Sequence, residues 1–169
     1  MTPRRALSIP VILAVAGLLL LAQFSFATAK APKILEFDTM VGVPAAFTGS
    51  TNAIRSVSGG GLPWRLTSGT GELTASGQLE VKVRGLVLDS GANEGNNPIP
   101  AFRAIVSCLN ADAGTVNVMT DAFPATMGPA SAGGGNADIE ADLTLPSPCI
   151  APIVFVTSPG GAWFSVTGG

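Results

Sequence analysis

Residues 78–84 read QLEVKVR, and this stretch alternates polar and apolar side chains without interruption. Its apolar members are Leu79, Val81 and Val83. Successive side chains of a β-strand point to opposite faces of the sheet, so the alternation predicts a strand with one face in a core and the other in water. Residues 136–145 read NADIEADLTL and alternate in the same way. Both stretches are predicted strands of an antiparallel sheet.

Weaker alternation elsewhere predicts more strands. Residues 102–108 read FRAIVSC and form a third predicted strand, with Cys108 on its apolar side. Six shorter predicted strands span residues 34–39, 64–67, 72–75, 115–119, 153–157 and 162–167. Apolar residues do not recur with a helical period over more than two turns in any window. We therefore expect little or no α-helix.

Turn-forming residues separate these strands. Ser68–Gly71, Ser76–Gly77 and Pro159–Gly161 are predicted to connect successive hairpin strands. Longer segments rich in Gly, Asn and Pro predict loops at residues 43–61, 89–100 and 127–135. Short strands at this spacing predict an all-β fold, a single antiparallel β-sandwich of about nine strands. A closed β-barrel is the alternative architecture.

The N-terminal segment has the features of an export signal in their usual order. Arg4 and Arg5 precede the uninterrupted apolar run VILAVAGLLLLA at residues 11–22. Ala27 and Ala29 then supply the small residues of a signal-peptidase site. An uncleaved membrane anchor is the alternative, since the apolar segment is just long enough to cross a bilayer core.

We therefore expect a signal peptide at residues 1–29 and one β-sandwich domain at residues 30–169, secreted to the extracellular space or the periplasm. Removal of the signal takes away Arg4 and Arg5 but no acidic residue, so the formal net charge moves from −2 to −4. Nucleic acid and anionic membranes are poor partners for such a chain, because it has no basic cluster to neutralise phosphates.

The composition also restricts the chemistry. The 169 residues include no histidine and no tyrosine, so a mechanism that needs an imidazole base or ligand is excluded within this chain. We expect no cofactor and no enzymatic activity. Cys108 and Cys149 are predicted to form a disulfide, because a pair of cysteines in a small exported domain is usually bridged. A catalytic thiol is the weaker alternative, because no histidine is present to activate it.

One predicted strand carries an acidic stripe, formed by Asp138, Glu140 and Asp142. With a period of two, their carboxylates share one strand face. The stripe could bind Ca²⁺, or it could act as an acid/base pair on a glycan together with Glu36 or Asp38 from a second strand. The simpler interpretation is a solvent-exposed strand face whose carboxylates pair with Lys82 and Arg84 across the sheet.

The loop at residues 89–97 is rich in oxygen ligands, and Asp89, Asn93 and Glu94 form a weak candidate calcium site. The loop does not follow the EF-hand pattern, because Gly91 takes the third position and Pro100 the twelfth. An ordinary surface loop is the alternative.

The two tryptophans have different expected roles. Trp64 is in phase with Leu66, which predicts a core position. Trp163 alternates with Phe164 and is predicted to face outwards together with Ser165. We therefore expect Trp163 to mark a ligand-binding surface, if an aromatic residue does so at all.

Residues 62–88 (LPWRLTSGTGELTASGQLEVKVRGLVL), 104–109 (AIVSCL) and 148–164 (PCIAPIVFVTSPGGAWF) resemble a group of small secreted bacterial proteins of unassigned function. The resemblance implies export and a β fold, and it brings no activity, cofactor or site residue.

These observations favour a secreted, non-catalytic β-sandwich that acts as a binding or structural module for a protein or glycan partner. A carboxylate-dependent enzyme acting on glycans and a small-ligand carrier with a barrel lumen are the alternatives.

Overall fold

The computed structural model describes residues 31–167, so the predicted signal peptide at 1–29 lies outside the described residues. No α-helix occurs between residues 31 and 167, where two single 3₁₀ turns, Ala45–Phe47 and Ala130–Ala132, accompany fourteen strands. The strands are β1 (Lys33–Phe37), β2 (Met40–Gly42), β3 (Trp64–Arg65), β4 (Ser68–Thr74), β5 (Gln78–Arg84), β6 (Val87–Leu88), β7 (Asn96–Asn97), β8 (Ala101–Leu109), β9 (Thr115–Met119), β10 (Phe123–Pro124), β11 (Gly128–Pro129), β12 (Ala137–Asp142), β13 (Ile150–Thr157) and β14 (Trp163–Thr167).

One sheet contains four antiparallel strands in the order β1-β4-β5-β12. One of its two central strands is β5, whose side chains alternate as expected from QLEVKVR. Leu79, Val81 and Val83 are buried, while Gln78 and Lys82 are exposed. Both β5 and β12 are confirmed as strands with one buried face and one face in water.

A six-stranded antiparallel sheet has the order β10-β8-β13-β14-β2, and β9 pairs with β8 beside β10. Apolar side chains of both sheets form one continuous core. Two further pairs, β3 with β6 and β7 with β11, complete the chain. The predicted β-sandwich is therefore confirmed, although it has fourteen strands instead of about nine, because five strands of only two or three residues were not predicted. The closed barrel is wrong, because the two sheets remain separate layers with open edges in the described chain.

An aromatic cluster fills one end of the core. Trp64 stacks on Phe164 with ring centroids 4.0 Å apart, and Phe102 meets both rings edge-on at 6.5 and 5.9 Å. All three side chains are buried. The predicted core position of Trp64 is confirmed.

The predicted turn at Ser68–Gly71 is wrong, because these residues form the first half of β4. Ser68 pairs with Arg84 in the ladder to β5. A Cβ atom on Gly69 would lie 2.7 Å from the side chain of Met40. The glycine therefore allows close packing between the two sheets, which is a role that the sequence pattern alone does not distinguish from a turn.

Residues 43–61 were expected to form a loop, and they fold across the outer face of the six-stranded sheet. We call this segment the strap. Val43 and Val57 are buried in it. The strap forms backbone hydrogen bonds with both polar groups of Trp163 on β14. Trp163 N–H donates to Ser58 O (2.9 Å), and Gly60 N–H donates to Trp163 O (2.8 Å). The strap thus gives this sheet a second apolar layer.

Arg55 fixes the tip of the strap. Its guanidinium donates to the carbonyl oxygens of Ser107 on β8 and Ala151 on β13, both at 2.9 Å. Asn117 on β9 donates to the Arg55 carbonyl at 2.9 Å. Arg55 and Ser56 form the tight turn of the strap with φ angles of 47° and 66°, a region that disfavours residues other than glycine.

We predict opposite changes in stability when the two residues of this turn are replaced by glycine. We expect Ser56→Gly to raise the free energy of unfolding by up to about 1 kcal/mol, because glycine adopts positive φ without steric cost. Arg55→Gly gains the same relief but loses two charge-assisted hydrogen bonds, so we expect a net loss of about 2 kcal/mol. Urea unfolding of the two variants measures the difference. Equal stability of both variants would contradict the role of the guanidinium.

Cys108 and Cys149 form the predicted disulfide, with Cα atoms 5.0 Å apart and a sequence separation of 41. It joins the end of β8 to the segment that leads into β13. Between residues 31 and 167, no cysteine is free.

We expect the double variant Cys108→Ala/Cys149→Ala to lose about 4 kcal/mol of unfolding free energy, because opening a loop of this length frees the unfolded chain. Urea unfolding of the variant and of the reduced wild-type protein should give similar shifts. An unchanged urea midpoint in both samples would show that the bridge contributes nothing to stability.

Candidate functional site

The exposed face of the four-stranded sheet carries a row of glutamates that crosses all four strands. Glu36 on β1 pairs with Glu72 on β4, Glu72 pairs with Glu80 on β5, and Glu80 pairs with Glu140 on β12. We call these four residues the acidic row. Residues directly opposite in an antiparallel sheet have Cβ atoms about 5 Å apart, so the row is a line of adjacent carboxylates.

Three more acids lie beside the row. Asp138 and Asp142 flank Glu140 on β12, and Asp38 lines the same open depression of about 660 Å³ as Glu36. The predicted acidic stripe of β12 is therefore real, and it forms one end of a larger acidic face.

Cations at this face bind individual carboxylates. Lys33 contacts Glu36 at 2.9 Å and Glu72 at 2.6 Å, and Lys82 is ion-paired with Glu80. The hydrogen bond to Glu72 is the main cause that raises the pKa of Lys33, and the hydrogen bond to Glu80 is the main cause that raises the pKa of Lys82. The lysines thus offset part of the repulsion within the row.

The expected ladder of the stripe against basic residues is confirmed at Asp138 and is wrong for the other two acids, because Glu140 lies opposite Glu80 and Asp142 opposite Gln78. Asp138 lies opposite Lys82 in the β5–β12 register. Arg84 donates to the Asp138 carboxylate at 2.7 Å and to the Ala137 carbonyl at 3.1 Å.

The acid/base pair suggested between β1 and β12 does not form. Glu36 and Asp38 belong to one edge of the sheet, and Asp138 and Glu140 belong to the other. Three strand spacings separate the edges, or roughly 14 Å, which exceeds the separation that glycoside hydrolysis uses. Glu72 and Glu80 lie directly opposite each other, but both are on an open sheet face that does not enclose a substrate.

Sequence reasoning found Glu140 and missed its alignment with Glu72 and Glu80. A usable signal was present, because Glu72 and Glu80 are equidistant from Ser76 in the predicted Ser76–Gly77 turn. A hairpin centred there pairs the two glutamates, as the structure shows.

Polar groups of the loop and of β3 hold the candidate calcium loop. The Asp89 carboxylate is ion-paired with Arg65 at 3.0 Å. The carbonyl oxygens of Asn93 and Glu94 accept hydrogen bonds from Asn96. Across residues 31–167, no group of three or more acidic or cysteine side chains is arranged to hold a metal ion. The Asp89 carboxylate and the Asn93 and Glu94 carbonyls are thus engaged by Arg65 and Asn96, and the calcium site at this loop stays a prediction.

The expectation that Trp163 marks a ligand-binding surface is wrong, because its side chain is 1% exposed. Trp163 does point away from the core between the sheets, but the strap covers it, and its ring meets Phe47 at 6.4 Å and Phe155 at 6.0 Å. Ser165 was also misassigned. A register irregularity pairs Trp163 with Thr157 and Ser165 with Val156, so the simple alternation of β14 is broken at Phe164.

Comparisons of this chain with protein-family models, with curated proteins and with solved structures found no match. Within residues 31–167, no helix has the length and apolar character needed to cross a membrane. The disulfide is consistent with an oxidising compartment.

The lysines of the acidic face predict a loss of stability at high pH. Folding raises the pKa of Lys33 and Lys82 above 10.5, so their contribution is complete below pH 10.5 and is lost as the pH rises through the higher folded value. We expect the urea midpoint to fall more steeply above pH 10.5 in the wild type than in Lys33→Met/Lys82→Met. The chain has no tyrosine to titrate in this range. Parallel pH profiles would refute the assignment.

Proposed function

We propose that the protein is an exported, non-catalytic binding module and that the face centred on the acidic row is its recognition surface. The observation that carries the proposal is the register that aligns Glu36, Glu72, Glu80 and Glu140 across four strands. A sheet is a rigid platform, and carboxylates held on it are positioned before a partner arrives.

The row costs stability, and this cost supports a functional role. Like charges directly opposite each other destabilise a sheet, and Lys33 and Lys82 offset part of the charge of the row. Neutral polar residues on an exposed face would fold equally well. Residues that lower the stability of a fold are expected at its functional sites.

The open geometry favours binding over catalysis. The carboxylates of neighbouring strands stand side by side on one exposed sheet face, and the depression beside Glu36 and Asp38 is open to solvent. The two carboxylates of a glycoside hydrolase instead flank the bond that is cleaved. The absence of histidine from the chain leaves no imidazole to act as a base.

Export is supported by two features of different origin. Residues 1–29 carry the ordered features of a signal peptide. The Cys108–Cys149 bridge belongs to the chemistry of compartments outside the reducing cytosol.

The partner that fits this face best is a basic protein segment. Both tryptophans, Trp64 and Trp163, are buried, which removes the exposed stacking platforms that a glycan-binding face normally uses. A carrier role is disfavoured because large side chains such as Phe102, Phe155 and Leu73 are fully buried in the fold.

A charge-matched pair of variants tests the proposal. Glu72→Gln/Glu80→Gln neutralises the centre of the row, and Glu94→Gln/Asp112→Asn removes the same charge elsewhere. Binding to an array of immobilised lysine-rich peptides and neutral oligosaccharides is measured at about 0.15 M salt. We expect the wild type and the Glu94/Asp112 variant to bind the basic peptides, and the Glu72/Glu80 variant to lose at least about tenfold in affinity.

Two results would contradict the proposal. Equal weakening by both double variants would mean that net charge alone drives binding. Retention of neutral oligosaccharides in preference to the basic peptides would assign a glycan partner instead.

A further inference from the structure

Strand β9 (Thr115–Met119) is an edge strand of the six-stranded sheet, and β8 is its one strand partner in the described chain. Its hydrogen bonds define which backbone groups face outwards. Thr120 N–H donates to Ala104 O at 3.0 Å, and Ala104 N–H donates to the Thr120 hydroxyl at 3.0 Å. In an antiparallel ladder this direction alternates, so the N–H and C=O groups of Asn117 and Met119 point to the open edge.

The other edge strands β12, β1 and β2 have features that discourage further pairing, and β9 does not. The β12 edge carries three carboxylates, and the β1 edge combines Lys33 and Glu36 with a register irregularity. The β2 edge is three residues long. By contrast, β9 reads TVNVM and pairs with β8 in unbroken register. Charges, short strands and bulges usually protect sheet edges from pairing with another chain. Because β9 lacks them, its edge can accept a further strand.

A shallow groove of about 290 Å³ adjoins the Met119 end of this edge. Met119, Phe123 and Leu143 provide apolar walls, and Asp121, Glu140 and Asp142 provide carboxylates. Met119 is 42% exposed. A chain that continues along β9 past Met119 enters this groove, which favours a basic side chain with an apolar stem.

We propose that the β9 edge binds an extended segment of a partner protein as an additional antiparallel strand, with a lysine or arginine of that segment in the groove. Strand addition gives affinity through backbone hydrogen bonds and specificity through pockets for particular side chains. Because the added strand runs antiparallel to β9, the basic residue lies at its N-terminal end.

A second copy of this chain fits the edge less well. A five-residue edge is too small to supply the roughly 1,200 Å² that a stable interface buries. A two-fold pairing centred on Asn117 brings Asp112 opposite Ala122 and leaves acidic residues at both ends, with no cation of β9 to pair with them. A basic partner segment removes this repulsion.

Hydrogen exchange and peptide binding test the proposal in the full domain. The probe is a capped synthetic peptide that begins with lysine and continues with alternating valine and threonine, and the control peptide begins with glutamate. We expect the lysine peptide to slow exchange of the Met119 amide by at least about tenfold, and to bind more tightly than the glutamate peptide.

Matched variants separate edge pairing from general effects. Asn117→Pro and Asn117→Ala both lose the side-chain hydrogen bond to Arg55, but only proline lacks the outward N–H. We expect Asn117→Pro to bind the lysine peptide at least about tenfold more weakly than Asn117→Ala, and Asp121→Asn to abolish the preference for lysine over glutamate. The two Asn117 variants leave all four glutamates of the acidic row unchanged, so their difference tests the β9 edge without altering the row.

Three results would overturn the proposal. The first is an unprotected Met119 amide at millimolar peptide, and the second is equal peptide affinity of the two folded Asn117 variants. The third is concentration-dependent dimerisation that Asn117→Pro abolishes and Asn117→Ala retains, because it would make a second copy the occupant of the edge.

Discussion

The ladder between β8 and β13 is the interaction on which the rest of the molecule depends. Both strands are buried on both faces along most of their shared length, with Val106 and Val154 towards the other sheet and Ile105 and Phe155 away from it. A sheet whose outer face is apolar cannot be left in water, so the fold requires a cover. The strap provides it. Its anchor, Arg55, binds where the ladder is irregular between Ile150 and Ile153 and takes the carbonyl of Ala151 there.

Much of the fold could be predicted from alternation, because a strand with one buried and one exposed face alternates apolar and polar residues in the sequence. The pattern of β5 and β12 survives in full. It fails at Trp163, where the side chain points away from the inter-sheet core, as expected, yet is buried by residues more than 100 positions earlier in the chain. Composition identified residues 43–61 as a loop, but it carries no information about which face a loop covers.

The acidic row shows a different limit of sequence reasoning. Each glutamate is visible as a polar position in its own strand, but the row exists only after the strands are ordered and brought into register. That register is fixed on the opposite face, where Leu73 pairs with Leu79 and Leu79 with Ala141. A slip by one residue would turn these side chains into water and the glutamates into the core. The hydrophobic core therefore holds the glutamates together despite their mutual repulsion.

Salt weakens the electrostatic attraction that the acidic row can exert on a partner. At physiological ionic strength the Debye length is about 8 Å, while the row spans roughly 14 Å from β1 to β12. A partner charge placed at one end is screened from the glutamate at the other end. Under the proposed function, a partner must therefore place its charges at the strand spacing, in direct contact with the glutamates. Long-range attraction to the row as a whole is too weak to select a partner.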